Sequence, residues 1–143
     1  MTHTDPDLAD TAKLSAPRVQ DVMRRNAVTI SPQETLAKAE AVMLREGMRQ
    51  LPVVENGELV GIVSERDLRP HSGYLERTKV DAAMTYSALT VTPTETARRA
   101  AQMLIERKFN ALPVVENGRL VGIVSRTDLL QVLVSLLEQR QPA

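Results

Sequence analysis

Two short segments of this chain carry the residue types that bind and orient a polar ligand. They are Gly61-Ile62-Val63-Ser64-Glu65-Arg66-Asp67 and Gly122-Ile123-Val124-Ser125-Arg126-Thr127-Asp128. In each, an apolar run of β type ends at a serine, and a helix is expected to begin there. The first turn of a helix presents unpaired N–H groups and a partial positive charge, which suits a phosphate. The serine hydroxyl can donate to an anionic oxygen, and the aspartate one turn on can accept from hydroxyl groups. The same Ser-x-x-Asp pattern is also an ordinary helix cap, with serine at the N-cap and aspartate in the first turn. The two roles are compatible, and the spacing alone leaves both open.

Composition narrows the remaining chemistry. None of the 143 residues is cysteine, so disulfides, thiolate catalysis and cysteine metal sites are excluded. The two histidines, His3 and His71, lie far apart in polar segments and read as solvent-exposed. Formal net charge is zero, with 18 basic and 18 acidic side chains, and the only aromatic residues are Tyr74, Tyr86 and Phe109. A nucleic-acid binder needs a basic stripe or a stacking platform, and this chain offers neither. The polar start, Met1–Ala16, is not a signal peptide, and no run approaches the roughly 18 apolar residues of a membrane span. The expectation is a soluble cytoplasmic protein. Phosphate-binding P-loops, Gly-x-Ser-x-Gly elbows and His-Glu-x-x-His motifs are all missing, and an enzyme is not expected.

The elements that must position these segments are written twice. A shift of 61 positions aligns Val19–Leu68 with Val80–Leu129 without a gap, and 23 of the 50 aligned residues are identical. Leu51-Pro52-Val53-Val54-Glu55-Asn56-Gly57 recurs as Leu112-Pro113-Val114-Val115-Glu116-Asn117-Gly118. Each copy opens with a short extended segment, Ala27–Ile30 or Ala88–Val91. Ser31-Pro32-Gln33-Glu34 and Thr92-Pro93-Thr94-Glu95 then read as capping boxes with proline at the first helical position. The first helix carries Leu36, Ala39, Val42 and Met43 on one face, and Gly47 suits its end. Asn56-Gly57 and Asn117-Gly118 each sit between two β-rich runs, the sequence of a tight hairpin whose turn residues both need positive φ. A last helix starts at Ser64 and is stopped by Pro70; its counterpart from Ser125 runs on through Leu130, Leu133 and Leu137. That apolar set is wider than one contact needs, so a partner chain is expected on it. The fold class is therefore α+β, two β-α-β-β-α units related by a pseudo-two-fold axis and joined sheet edge to sheet edge. About fifty residues alone bury too little surface to be comfortably stable, so the two units should form one module.

The order of elements and the repeated Leu-Pro-Val-Val-Glu-Asn-Gly-x-Leu-Val-Gly-Ile-Val-Ser-x-x-Asp-Leu motif resemble the CBS domain, named after cystathionine β-synthase. Two in tandem resemble a stand-alone Bateman module, with an N-terminal tail over 1–17, domains over 18–69 and 80–139, and a linker over 70–79. The resemblance implies a regulatory module that binds an adenosine-containing ligand between its domains: AMP, ADP, ATP, S-adenosylmethionine or NADH. It implies that Ser64 and Ser125 meet phosphate and that Asp67 and Asp128 accept from ribose hydroxyls. It further implies that Arg25–Thr29, with Ala27, and Tyr86–Thr90, with Ala88, approach the adenine through backbone groups. Met48 and Phe109, the latter beside Asn110, are expected to cover its faces. Cations for phosphate are offered by Arg24, Arg25, Arg49 and Arg66 in the first copy and by Lys108 and Arg126 in the second. Arg49 stands out because its counterpart, Asn110, is neutral, so the first copy is expected to hold phosphate more firmly. No cofactor is required beyond the regulatory nucleotide, and a homodimer acting on another protein is expected. The competing reading is an interaction module with a vestigial site; the intact Ser-x-x-Asp in both copies favours ligand sensing.

Overall fold

The computed structural model describes residues 16–86 and 89–140. The expected tail lies outside them except for Ala16 and Pro17, and so do Ser87 and Ala88. Each copy builds an antiparallel hairpin. Strands β1 (Gln50–Glu55) and β2 (Glu58–Ser64) form the first, and β3 (Ala111–Glu116) and β4 (Arg119–Ser125) the second. Both turns have positive φ at both positions, 55° and 82° at Asn56-Gly57 and 54° and 81° at Asn117-Gly118. The hairpins join as one sheet of order β1-β2-β4-β3. They pair in register at Glu58 opposite Arg119, where Leu59 N donates to Gly118 O at 3.2 Å and Leu120 N to Gly57 O at 3.3 Å.

Helix α1 is the short Val19–Val22, and α2 (Leu36–Glu46) precedes β1. Helix α3 (Glu65–Leu68) follows β2 and passes into a 3₁₀ turn at Arg69–His71. A second 3₁₀ turn at Val80–Ala82 is the counterpart of α1; α4 (Ala97–Arg107) and α5 (Arg126–Arg140) complete the second copy. Helix α2 ends at Gly47 in the left-handed region, as expected, and α4 ends at Lys108 in the same conformation.

Two local expectations are corrected. Among the described residues the extended segments contribute only isolated parallel bridges, Ile30 with Val53 and Val91 with Val114, rather than full strands. The helices begin later than Ser31 and Thr92. The N-caps are Thr35 and Thr96, whose hydroxyls accept from the N–H groups of Lys38 and Arg99. Ser31–Glu34 is a turn, with Ser31 Oγ accepting from Gln33 N at 3.1 Å. Its carbonyls serve a distant segment: Val80 N donates to Glu34 O at 2.8 Å and Asp81 N to Pro32 O at 3.1 Å. In the second copy Val19 N donates to Glu95 O at 2.8 Å and Gln20 N to Pro93 O at 2.9 Å. A helix through these residues would turn the same carbonyls inward to its own ladder.

Those long-range bonds show that the sequence repeat and the packing unit differ. Val80 and Met84, which open the second copy, lie in a core with Leu36, Met43, Leu51, Val53 and Val63 of the first. Val19, which opens the first copy, lies in the core of Leu104, Leu112, Val114 and Val124. Each leader then crosses the opposite hairpin. Thr85 exchanges two backbone hydrogen bonds with Ile62 (2.8 and 3.0 Å), and Arg24 two with Ile123 (both 2.9 Å). Because Ile62 and Ile123 direct both polar groups to these leaders, Pro52 and Pro113 opposite them need no N–H for the hairpin.

The crossings explain a glycine inside each inner strand. A Cβ at Gly61 would lie 2.7 Å from Thr85 O and 2.9 Å from Met84 Sδ; at Gly122 it would lie 2.8 Å from both Arg24 O and Met23 Sδ. Gly122→Ala is therefore expected to destabilise the protein by about 1–3 kcal/mol, the usual cost of forced overpacking. Urea denaturation reads this directly, and an unchanged midpoint would refute the close-approach explanation.

Candidate functional site

The aspartates of the two Ser-x-x-Asp segments are set by reciprocal caps. At the start of α5, Ser125 N donates to Asp128 Oδ2 at 2.9 Å and Asp128 N to Ser125 Oγ at 3.2 Å. At the start of α3, Ser64 N donates to Asp67 Oδ2 at 2.8 Å and Asp67 N to Ser64 Oγ at 3.3 Å. The capping role left open by the spacing is thus real. It uses one carboxylate oxygen and leaves the other for a further donor. In Asp128, which is only 7 % exposed, that oxygen accepts from Arg24 Nε at 3.1 Å. Asp67 has no arginine partner among the described residues and takes the Ser64 hydroxyl as an additional donor to Oδ2 at 3.0 Å.

A cleft of about 560 Å³ opens beside Asp128 and is walled by both copies. The first copy supplies Arg24, Asn26–Val28 and Glu46–Gln50, and the second supplies Asn110, Ala111, Ile123 and Ser125–Asp128. Gln50 Nε2 donates across it to Ala111 O at 3.0 Å, tying the lobes at repeat-equivalent positions. Of the residues expected from sequence, Ala27, Met48, Arg49, Asn110, Ser125, Arg126 and Asp128 are gathered here. Arg25 instead lines a neighbouring cavity of about 420 Å³ with Arg119. Ser64, Arg66, Asp67 and Phe109 are not among the residues walling the cleft; they are the repeat counterparts of Ser125, Thr127, Asp128 and Met48, which are. Ala88 lies outside the described residues.

The cations sort differently from expectation. Arg24 and Arg49, grouped by sequence with the first copy's aspartate, stand in the cleft with the second copy's Asp128. The Arg126 guanidinium is engaged elsewhere, donating to Phe109 O at 2.6 Å and Leu104 O at 3.2 Å. A cation there offsets the negative end of α4. The Arg49 side chain has no partner among the described residues, while its carbonyl accepts from Glu65 N at 3.0 Å. Glu46 and Gly47 were not assigned to the site from sequence. Their one signal is adjacency to residues that were.

The CBS domain family model matches residues 19–72 and again 80–135. The CBS domain-containing protein YhcV of Bacillus subtilis is 31 % identical over 114 residues, covering 78 % of this chain and 81 % of the relative. The inosine-5'-monophosphate dehydrogenase of Korarchaeum cryptofilum is 34 % identical over 114 residues, but the match spans only 23 % of that enzyme. Among solved structures, CBSX2 of Arabidopsis thaliana, determined in complex with AMP, superposes with a TM-score of 0.76 at 29 % identity. The superposition covers 85 % of this chain and 98 % of CBSX2.

The capping geometry carries a stability consequence. Asp128→Ala removes the acceptor of Ser125 N–H and is expected to cost about 1–3 kcal/mol. Asp128→Asn, which keeps an acceptor, should recover most of that loss in the same denaturation assay. Equal losses in the two variants would exclude the capping role.

Proposed function

The chain belongs to the CBS domain family, two copies in one polypeptide, and from that premise we propose that it is a regulatory module that binds an adenosine-containing nucleotide in the cleft between its lobes. The observation that carries this reading is Asp128, a buried carboxylate at a helix start with one oxygen committed to backbone and the other shared with a cleft arginine. Burying such a charge is costly unless it is bonded, and a hydroxyl pair is a suitable replacement donor. A cleft of about 560 Å³ lies within the usual range for small-molecule sites. That CBSX2 is known with AMP supports the ligand class.

In this reading the ribose hydroxyls donate to Asp128, and backbone groups at Ala27 and Asn110 read the adenine edge. Met48 covers one face of the base, and the phosphate meets Arg49 near Ser125 and the first turn of α5. Ser64, Arg66, Asp67 and Phe109, with Ala88, would serve a second, dyad-related site. The module works by binding rather than catalysis: the enzyme relative shares with it less than a quarter of its own length. Leu130, Leu133, Val134 and Leu137 are exposed on α5 and form the surface on which a second copy would pair. Nucleotide binding stiffens the two lobes against each other and changes the surface that a regulated protein reads.

Thermal melting with AMP tests the reading. A ligand at 100 times its dissociation constant stabilises the native state by about 2.7 kcal/mol, a shift of roughly 5–10 °C for a chain of this size. Asp128→Ala should weaken AMP binding about ten- to a hundredfold. Flat melts across AMP, ADP, ATP, S-adenosylmethionine and NADH would favour a pure interaction module. Arg49→Ala should lower affinity for AMP and spare adenosine in calorimetric titration; equal losses would deny Arg49 a phosphate role.

A further inference from the structure

We propose that Arg24 makes the Asp128 cleft selective for phosphorylated nucleosides, competing with an uncharged ligand for Asp128 and serving a charged one. The inference rests on the functional reading above and adds which members of the adenosine class bind.

Five charged side chains wall the cleft: Arg24, Glu46, Arg49, Arg126 and Asp128. Glu46 is paired with Arg45 at 3.0 Å, and Arg126 is held by the carbonyls of Leu104 and Phe109. Arg24 and Asp128 hold each other. The Arg24 backbone is locked to Ile123 by two hydrogen bonds of 2.9 Å, while its side chain is 66 % exposed. The guanidinium can therefore swing on its flexible stem without moving the strand.

Asp128 Oδ2 already accepts from Ser125 N–H and Oδ1 from Arg24 Nε, so ribose hydroxyls that approach Oδ1 meet the guanidinium that sits on it. A neutral nucleoside takes that oxygen and leaves the guanidinium to water, with nothing gained in exchange. A nucleotide takes the same oxygen and offers the released guanidinium a phosphate, a matched partner for its planar donor fork. Arg24 thus opposes the first ligand and favours the second. A sulfonium ligand fares worse than either, because the released guanidinium meets a like charge. The device belongs to one cleft. At the position of Arg24 the second copy has Thr85, and Asp67 is bonded by the Ser64 hydroxyl instead.

Calorimetric titration of the full chain with AMP and with adenosine tests the proposal. Wild type should prefer AMP. In Arg24→Ala the AMP affinity should fall about tenfold or more. Adenosine affinity should stay or rise, by up to about fivefold, the worth of an ion pair whose guanidinium is largely exposed. Arg24→Gln, neutral and of similar length, should reproduce the loss of preference and guards against a folding defect in the alanine variant. An AMP-to-adenosine ratio unchanged by both substitutions, or an equal loss for both ligands, overturns the role of Arg24 while leaving the functional reading intact. Wild-type protein that binds neither ligand overturns both.

Discussion

Two antiparallel bridges, Arg24 with Ile123 and Thr85 with Ile62, make this chain one body rather than two. The inner strands β2 and β4 pair in register only at Glu58 and Arg119, so the lobes are joined largely by leaders exchanged between them. Each leader carries apolar residues into the opposite core, Val19 one way and Val80 with Met84 the other. A lobe of about fifty residues lacks the buried area to stand alone. The exchange supplies part of each core from the other half, and it demands the backbone clearance that glycine provides at Gly61 and Gly122.

The same bridge assembles the site. Locking Arg24 to Ile123 sets its side chain against the start of α5, where Ser125 and Asp128 cap each other. The leader continues from there through Asn26–Val28 along the cleft wall before reaching Ile30 and β1. One segment thus both completes the second core and walls the Asp128 cleft. Capping and ligand recognition do not compete, because a carboxylate has two oxygens and the cap takes one.

Duplication followed by divergence gives two related positions with different chemistry. Where the copies agree, as at Ser64 and Ser125, the helix starts have the same geometry. Several of the differences fall at cleft positions: Arg24 against Thr85, Met48 against Phe109, Arg49 against Asn110. On the dyad itself, repeat-equivalent residues face each other, and asymmetry there is used for pairing. Glu58 lies opposite Arg119, and the Gln50 amide donates to the Ala111 carbonyl.

Local chemistry was legible in the residues. The Asn-Gly turns need positive φ at both positions, Gly47 suits a left-handed helix end, and Ser-x-x-Asp caps a helix, because each depends on neighbours a few residues away. The duplicated α+β plan followed from the repeat, and seven of the expected site residues meet in one cleft for the same reason. Helix starts at Thr35 and Thr96 were not legible, since the carbonyls of the preceding turns answer to Val80–Asp81 and Val19–Gln20, far away in the chain. Nor was the partner of Asp128, 104 positions from Arg24. The sequence by itself determined which segments turn, cap and pair within each copy. Only the tertiary structure decided which copy's leader completes which lobe, and with it which arginine meets which aspartate, because a gapless repeat offers the same contacts within a copy as across copies and only three-dimensional packing chooses between them.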